Sequence, residues 1–291
     1  MSILPLLLIS IRPKQWSKNV VVFAAVLFSR NLHNLHLSLK VAAGFVIFCM
    51  ITGATYLMND IADRERDRHH PEKSGRPIAA GTLPVGIAGI AAIAAVLAGT
   101  AAAWMLSQRF FLVMFSYILL QLLYTFLLKR IVILDVLAIT TGFVLRVLAG
   151  AVVIQVEISS WLLICTFLLA LFLALCKRRH ELMLLDTNAG IHRKVLSEYS
   201  IPLLDQMISM TTASTLIGYT LYTLSDQTIA KFGTERLVFT VPFVVYGLFR
   251  YLYLVHIRKA GGSPEALLLT DLPLVIGIVA WGVCAGLIIY F

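Results

Sequence analysis

Long apolar runs follow one another along this chain with only short polar breaks between them, and most approach the roughly 20 residues an α-helix needs to cross the hydrocarbon of a bilayer. Reading the runs between breaks predicts spans near 15–32, 37–58, 82–106, 110–128, 132–154, 159–182, 208–224, 236–256 and 270–291. Sustained period-2 alternation is nearly absent, which argues against a transmembrane β-barrel. The predicted architecture is all-α: an integral membrane bundle of about nine transmembrane helices, forming one domain over residues 1–291. Residues Ile3 to Ile11 are also apolar, but Arg12, Lys14 and Lys18 follow that stretch instead of preceding it, the reverse of a secretory signal. It is expected to be an interfacial segment.

Composition agrees with this pattern. The chain is 59% hydrophobic and 13% charged, outside the range of ordinary soluble domains. The formal charge of +9 could attract nucleic acid, but the basic residues fall in short clusters between apolar runs, as membrane topology requires, so no nucleic-acid partner is expected. With the N-terminus inside, 17 lysines and arginines fall in cytoplasmic segments against 5 on the other side, and Arg146 and Arg250 fall within spans. This predicts a multi-pass protein of the cell (inner) membrane with a cytoplasmic N-terminus. Cys49, Cys165, Cys176 and Cys284 lack the close spacing of a metal knuckle or redox pair and read as small core residues. The Ala-rich run from Ala91 to Ala103 suits close packing between membrane helices.

Two long cytoplasmic loops, about 59–81 and about 183–207, mix acids with bases and are where chemistry is sought. At the end of the second span stands Asn59-Asp60-Ile61-Ala62-Asp63-Arg64-Glu65-Arg66-Asp67. On a continuing helix Asp60, Asp63 and Asp67 share one face. Carboxylates held together repel unless a cation neutralises them, and Mg2+ takes oxygen ligands while keeping room for water and phosphate oxygens. The competing reading is a solvated loop whose acids pair with Arg64, Arg66 and Arg68. His69 and His70 point apart and read as loop residues. Next comes Lys73-Ser74-Gly75-Arg76-Pro77-Ile78-Ala79-Ala80-Gly81, a turn-rich stretch whose Arg76 could clamp phosphate and whose Lys73 is equally explained by topology.

Further cations stand at Arg12-Pro13-Lys14-Gln15-Trp16-Ser17-Lys18-Asn19, at Lys129-Arg130 and at Lys177-Arg178-Arg179-His180-Glu181. If these ends converge they suit a substrate with several phosphates, although anionic headgroups would also account for each cluster. Arg146 lies in the middle of the fifth span, where a charge is costly unless paired or facing a polar cavity. It is either a pocket residue contacting phosphate or one half of a buried structural pair.

Asn-Asp-x-x-Asp-x-x-x-Asp after a second span resembles the first aspartate-rich motif of the UbiA superfamily of intramembrane prenyltransferases. That resemblance implies an all-helical fold and a diphosphate bound through Mg2+ at two aspartate-rich motifs. The chain departs at the second motif, where Lys177-Arg178-Arg179-His180-Glu181-Leu182 replaces paired aspartates and Asp186 and Glu198 are the only other acids before Asp205. The departure resembles the decaprenyl-phosphate phosphoribosyltransferase-like branch. The likeness runs through the Arg12 to Asn19 stretch, Asn59 to Gly81, Tyr124 with Leu128-Lys129-Arg130, Asp135, Gly142 to Arg146 with Gly150, Lys177-Arg178 with Glu181-Leu182, and Pro264-Glu265 to Asp271.

The resemblance implies a Mg2+-dependent transfer of 5-phosphoribose from phosphoribosyl diphosphate to a polyprenyl phosphate, feeding cell-envelope synthesis. The implied metal ligands are Asn59, Asp60, Asp63 and Asp67, with the three aspartates catalytic. Lys14, Lys18, Arg76, Tyr124, Lys129, Arg146, Lys177, Arg178 and Glu181 are the implied substrate-binding residues. The alternative within the family is transfer from a polyprenyl diphosphate to an aromatic acceptor, as in quinone or haem synthesis, which would want carboxylates at 177–198. A transporter would place acids deep inside spans. Whether copies associate into a homo-oligomer is left open.

Overall fold

In the computed structural model, residues 2–69, 73–157, 159–185 and 194–291 are described; His70, Asp186 and Arg193 lie outside them. Seven described helices are long and apolar enough to cross a membrane: Leu35–Ala62, Val85–Leu106, Gln108–Arg130, Leu134–Ile154, Ser160–Leu184, Arg236–His256 and Leu272–Tyr290. Ile201–Leu224 has the length as well, but threonines, Asp205 and Gln206 make it more polar. It begins seven residues before the predicted 208, because Ser200 caps it through a hydrogen bond from the Leu203 N–H and Pro202 suits its first turn.

The predicted first span differs most. Residues Pro13–Phe23 form an 11-residue 3-10 helix, followed by a single α-helical stretch, Ala24–Phe28. Nine spans is therefore an approximate count. Ahead of it, Ile3–Ser10 is a helix that exposes Leu4, Leu8 and Ile9 and buries Leu6, the form expected of an interfacial segment.

The chain falls into two compact units, one built on residues 2–157 with 194–195 and the other on 159–185 with 196–291. In the first, packing is inverted relative to a soluble protein. The Val85–Leu106 helix turns Ile90, Ile93, Leu97 and Met105 outward and Ala88, Ala92, Gly99 and Ala103 inward. Small residues let backbones approach where lipid already solvates the large ones, and a Cβ on Gly99 would lie 2.6 Å from the Ile51 side chain. Leu6, Leu57, Ile78, Leu83, Ala88 and Ala92 form one buried cluster. Ile78 thus anchors the loop after the second span and fixes Arg76, two residues earlier.

The turn into the Leu134–Ile154 helix is a second anchor. Ile133 has φ 69° and ψ −45°, and the Leu134 N–H donates to the Val132 carbonyl at 2.8 Å. This is a γ-turn of the rarer, strained kind, centred on a β-branched residue whose Cβ disfavours positive φ. Ile133 is nearly half exposed, so little apolar burial offsets the strain. Ile133→Gly is expected to stabilise the protein by about 1 kcal/mol, the strain relieved less the added freedom of the unfolded chain. Thermal unfolding in detergent checks this.

The second unit is tied by polar contacts between its helices. Arg179 pairs with Asp205 at 2.5 Å, and Arg250 pairs with Asp271 at 2.8 Å. Asp271 also accepts from the Leu274 N–H and so caps Leu272–Tyr290; hydrogen bonding from Arg250 holds its carboxyl below the usual range. Trp281 donates to the Tyr219 hydroxyl, which lies 2.6 Å from Thr240 Oγ1.

Candidate active site

The second-span helix runs unbroken to Ala62, so Asn59 and Asp60 emerge on its last turn, and Asp63 links it to the short helix Arg64–Arg68 that carries Asp67. Asp60 and Asp67 are buried. The helix does not continue through Asp63, and three cations reach the three acids from separate elements. Lys129, buried in the 3-10 turn Leu128–Arg130, places its Nζ 2.7 Å from both carboxylate oxygens of Asp63 and 3.1 Å from Asn59 Oδ1. Arg76 donates from Nη1 to Asp60 at 3.0 Å and to Asp67 at 2.6 Å. Arg12 donates from Nη2 to Asp60 and lies over the Tyr56 ring, 5.0 Å from its centroid.

Three carboxylates are thus matched by three cations. Arg66 stands further off, 3.8 Å from Asp63, and Arg68 turns to Glu65 at 3.0 Å. Arg68 also donates from Nε to the Ala79 carbonyl at 3.1 Å, pinning the Arg76 loop against the acidic helix. Burial pushes the Asp67 carboxyl above the usual carboxylate range, against the pull of Arg76 and Lys73 and with a smaller push from Asp60.

The donor set fits a divalent ion. Asn59 Oδ1 and the three carboxylates are the hard oxygen ligands Mg2+ prefers, and the Lys129 ammonium already occupies a cation's place between Asn59 and Asp63. The set is not a preformed cage, since the cations divide the acids into an Asn59–Asp63 pair and an Asp60–Asp67 pair. Among the described residues no three Asp, Glu, His or Cys side chains converge on one point.

Among the described residues no carboxylate pairs with Arg146, and a buried polar network holds it instead. It is buried, and its hydrogen-bond partners are uncharged: Nε donates to Asn19 Oδ1 at 2.8 Å, Nη1 to the Gly142 carbonyl at 2.8 Å and Nη2 to the Tyr117 hydroxyl at 2.9 Å. The rings of Phe48, Tyr117 and Phe143 stand 5.0 to 5.5 Å from its guanidinium carbon, within cation–π range.

Of the other predicted residues, Lys14 is exposed and Lys18 half-buried on the 3-10 segment, and Tyr124 is half-buried near the end of Gln108–Phe126. Lys177, Arg178 and Glu181 belong to the second unit, where Arg178, 1% exposed, donates to Glu181 at 2.5 Å. The sequence pattern did not single out Arg12 or Asn19. Arg12 stands in a basic cluster that topology also explains; the usable signal is its place beside Pro13, at a break between two helical segments.

The family model of the UbiA prenyltransferase family matches residues 19–272. Over 97% of its length the chain is 35% identical to the decaprenyl-phosphate phosphoribosyltransferase of Corynebacterium glutamicum, covering 86% of that protein. It is 33% identical, over 97% of its length and 92% of the other, to the enzyme of the same name from Mycolicibacterium smegmatis. Among solved structures, a UbiA homologue from Archaeoglobus fulgidus bound to GPP and Mg2+ superposes with a TM-score of 0.73 at 20% identity, covering 98% of this chain and 100% of that one.

Proposed function

Because the chain belongs to the UbiA prenyltransferase family and is, like its relatives, a membrane transferase, we propose that it transfers 5-phosphoribose from phosphoribosyl diphosphate to a polyprenyl phosphate, releasing diphosphate. The observation that carries this reading is the charge-balanced cluster of Asn59, Asp60, Asp63 and Asp67 with Arg12, Arg76 and Lys129. It joins oxygen ligands for a metal to cations for phosphate at one helix end.

Asn59, Asp60, Asp63 and Asp67 would hold Mg2+, which when bound supplies positive charge to the departing diphosphate. Arg12, Arg76 and Lys129, each now engaged with a carboxylate, are the cations that phosphate oxygens would recruit, with Arg76 able to offer a planar fork of donors. The bond from the anomeric carbon to the diphosphate oxygen breaks with its electron pair leaving on diphosphate, and a bond to an oxygen of the acceptor phosphate forms on the opposite face. The acceptor oxygen is already anionic, so no general base is required and inversion is expected. The protein's contribution is orientation and fixed charge.

Lys14, Lys18 and Tyr124 in the first unit, and Lys177, Arg178 and Glu181 in the second, are the further proposed substrate-binding residues. The excess of lysine and arginine in one set of loops supports a cytoplasmic side for the site and the N-terminus.

The test uses purified protein in nanodiscs with polyprenyl phosphate and radiolabelled phosphoribosyl diphosphate. Label should enter the lipid with Mg2+ present, vanish with EDTA and return when Mg2+ is restored. Activity confined to a prenyl diphosphate and an aromatic acceptor would overturn the reading.

A further inference from the structure

Long 3-10 helices are uncommon, because side chains eclipse at i and i+3 and the hydrogen bonds are poorer, so an 11-residue run needs something to hold it. Its burial has the matching period of three: Asn19 and Val22 are buried, while Lys14, Ser17 and Val20 are exposed. The segment starts from Arg12, which has φ 55° and ψ 64°, a left-handed conformation unfavourable for a non-glycine residue and more so before proline. Side chains fasten this strained stretch at its start and past its middle. Arg12 is fastened to Asp60.

Asn19, seven residues on, fastens the segment with its whole amide. Its Nδ2 donates to Thr52 Oγ1 at 3.1 Å and Cys49 Sγ at 3.3 Å, and its Oδ1 accepts from Arg146. The amide orientation is fixed because a guanidinium can only donate. One residue thereby joins the segment to both the second-span and the fifth-span helices. At Gly150, one turn from Arg146, the Val22 carbonyl lies where a Cβ would be, 1.9 Å away.

We propose that Asn19 and Arg146 are positioning residues: together they hold Pro13–Phe23 in its extended 3-10 form and so keep Arg12 and Lys14 at the phosphate-binding end of the unit. As a 3-10 helix the 11 residues span about 22 Å; relaxed to an α-helix they would span about 16 Å. The difference, about 6 Å, is enough to draw Arg12 off Asp60. The buried Arg146 then has a purpose that needs no carboxylate partner, since it grips a neutral amide and is itself gripped by rings and a carbonyl. The consequence for donor binding rests on the function proposed above, whereas the consequence for the segment does not.

The experiment is hydrogen exchange by mass spectrometry on the full chain in nanodiscs, with donor KM and kcat measured alongside, for wild type, Asn19→Ala and Asn19→Asp. Asn19→Ala should lose at least tenfold in amide protection over Pro13–Phe23 while Leu35–Ala62 keeps its own, and donor KM should rise about tenfold with kcat changed much less. Asn19→Asp keeps an acceptor for Arg146 and should restore both. Unchanged protection over the segment overturns the latch, and lost protection with an unchanged donor KM overturns its positioning role. If Asn19→Ala loses protection throughout, Asn19→Asp decides: wild-type protection and KM support the latch, and the alanine pattern overturns it. Absence of phosphoribosyl transfer even in wild type would count against the function and leave the exchange result to judge the latch.

Discussion

Asp63→Ala is expected to lower kcat/KM by at least a hundred- to a thousand-fold, the scale on which a preorganised electrostatic contact at a reacting group usually counts. It should also destabilise the protein. Lys129 is buried and directs its ammonium at both Asp63 oxygens, and removing one partner of a buried pair leaves the other charge uncompensated, at about 3–5 kcal/mol when both are fully buried. Asp63 is about one-fifth exposed and Asn59 still accepts from Lys129, so the loss here should be smaller. The two effects separate in the double variant Asp63→Ala/Lys129→Met. Thermal unfolding should recover toward wild type, because the orphaned cation is gone, while transfer of label to lipid should stay absent. Recovery of transfer in the double variant would mean that Asp63 serves only to neutralise Lys129, and its assignment as a metal ligand would fail.

That experiment bears on pairings that the sequence pattern does not encode. The gathering of Asp60, Asp63 and Asp67 at the end of the second span was legible because that span is strongly apolar and the polar turn follows it directly. The spans from residue 85 to 185 were legible for the same reason. What the pattern could not show is which cations meet which acids. Lys129 lies 66 residues from Asp63 and Arg12 lies 48 from Asp60, and no local period encodes such pairings. The acidic cluster therefore read as open ligands for a metal, whereas its carboxylates are already matched by three side-chain cations. The first span takes a different helical form for a related reason. Residues 15–32 look helical in composition, but the 3-10 form of Pro13–Phe23 is set by partners elsewhere, Cys49 and Thr52 on one helix and Arg146 and Gly150 on another. Arg146 itself was recognised as costly, and its partners were out of reach because they are uncharged and distant in sequence.

Gly150→Ala should have the largest effect of any single-methyl addition in the first unit. The new Cβ would fall 1.9 Å from the Val22 carbonyl oxygen and 2.9 Å from its carbonyl carbon, and both are backbone atoms with no rotamer to yield. Overpacking of this kind costs about 1–3 kcal/mol even where side chains can adjust, so a loss at or above that range is expected. The Pro13–Phe23 segment must move off the fifth-span helix to make room. Since Asn19 is held from Arg146, one turn along that same helix, the movement strains the Asn19–Arg146 contact as well. Two other glycines calibrate the result. A Cβ at Gly142 would meet the Arg146 Nη1 at 3.4 Å, a contact that a small shift relieves, and one at Gly86 would meet nothing within 4 Å. Thermal unfolding of the three alanine variants should fall in the order Gly150, then Gly142, with Gly86→Ala at or above wild type because alanine favours helix. Donor KM should rise most for Gly150→Ala, in step with Asn19→Ala. A Gly150→Ala protein as stable as wild type would mean that the segment does not rest against this helix, and the positioning argument would lose its footing along with the prediction.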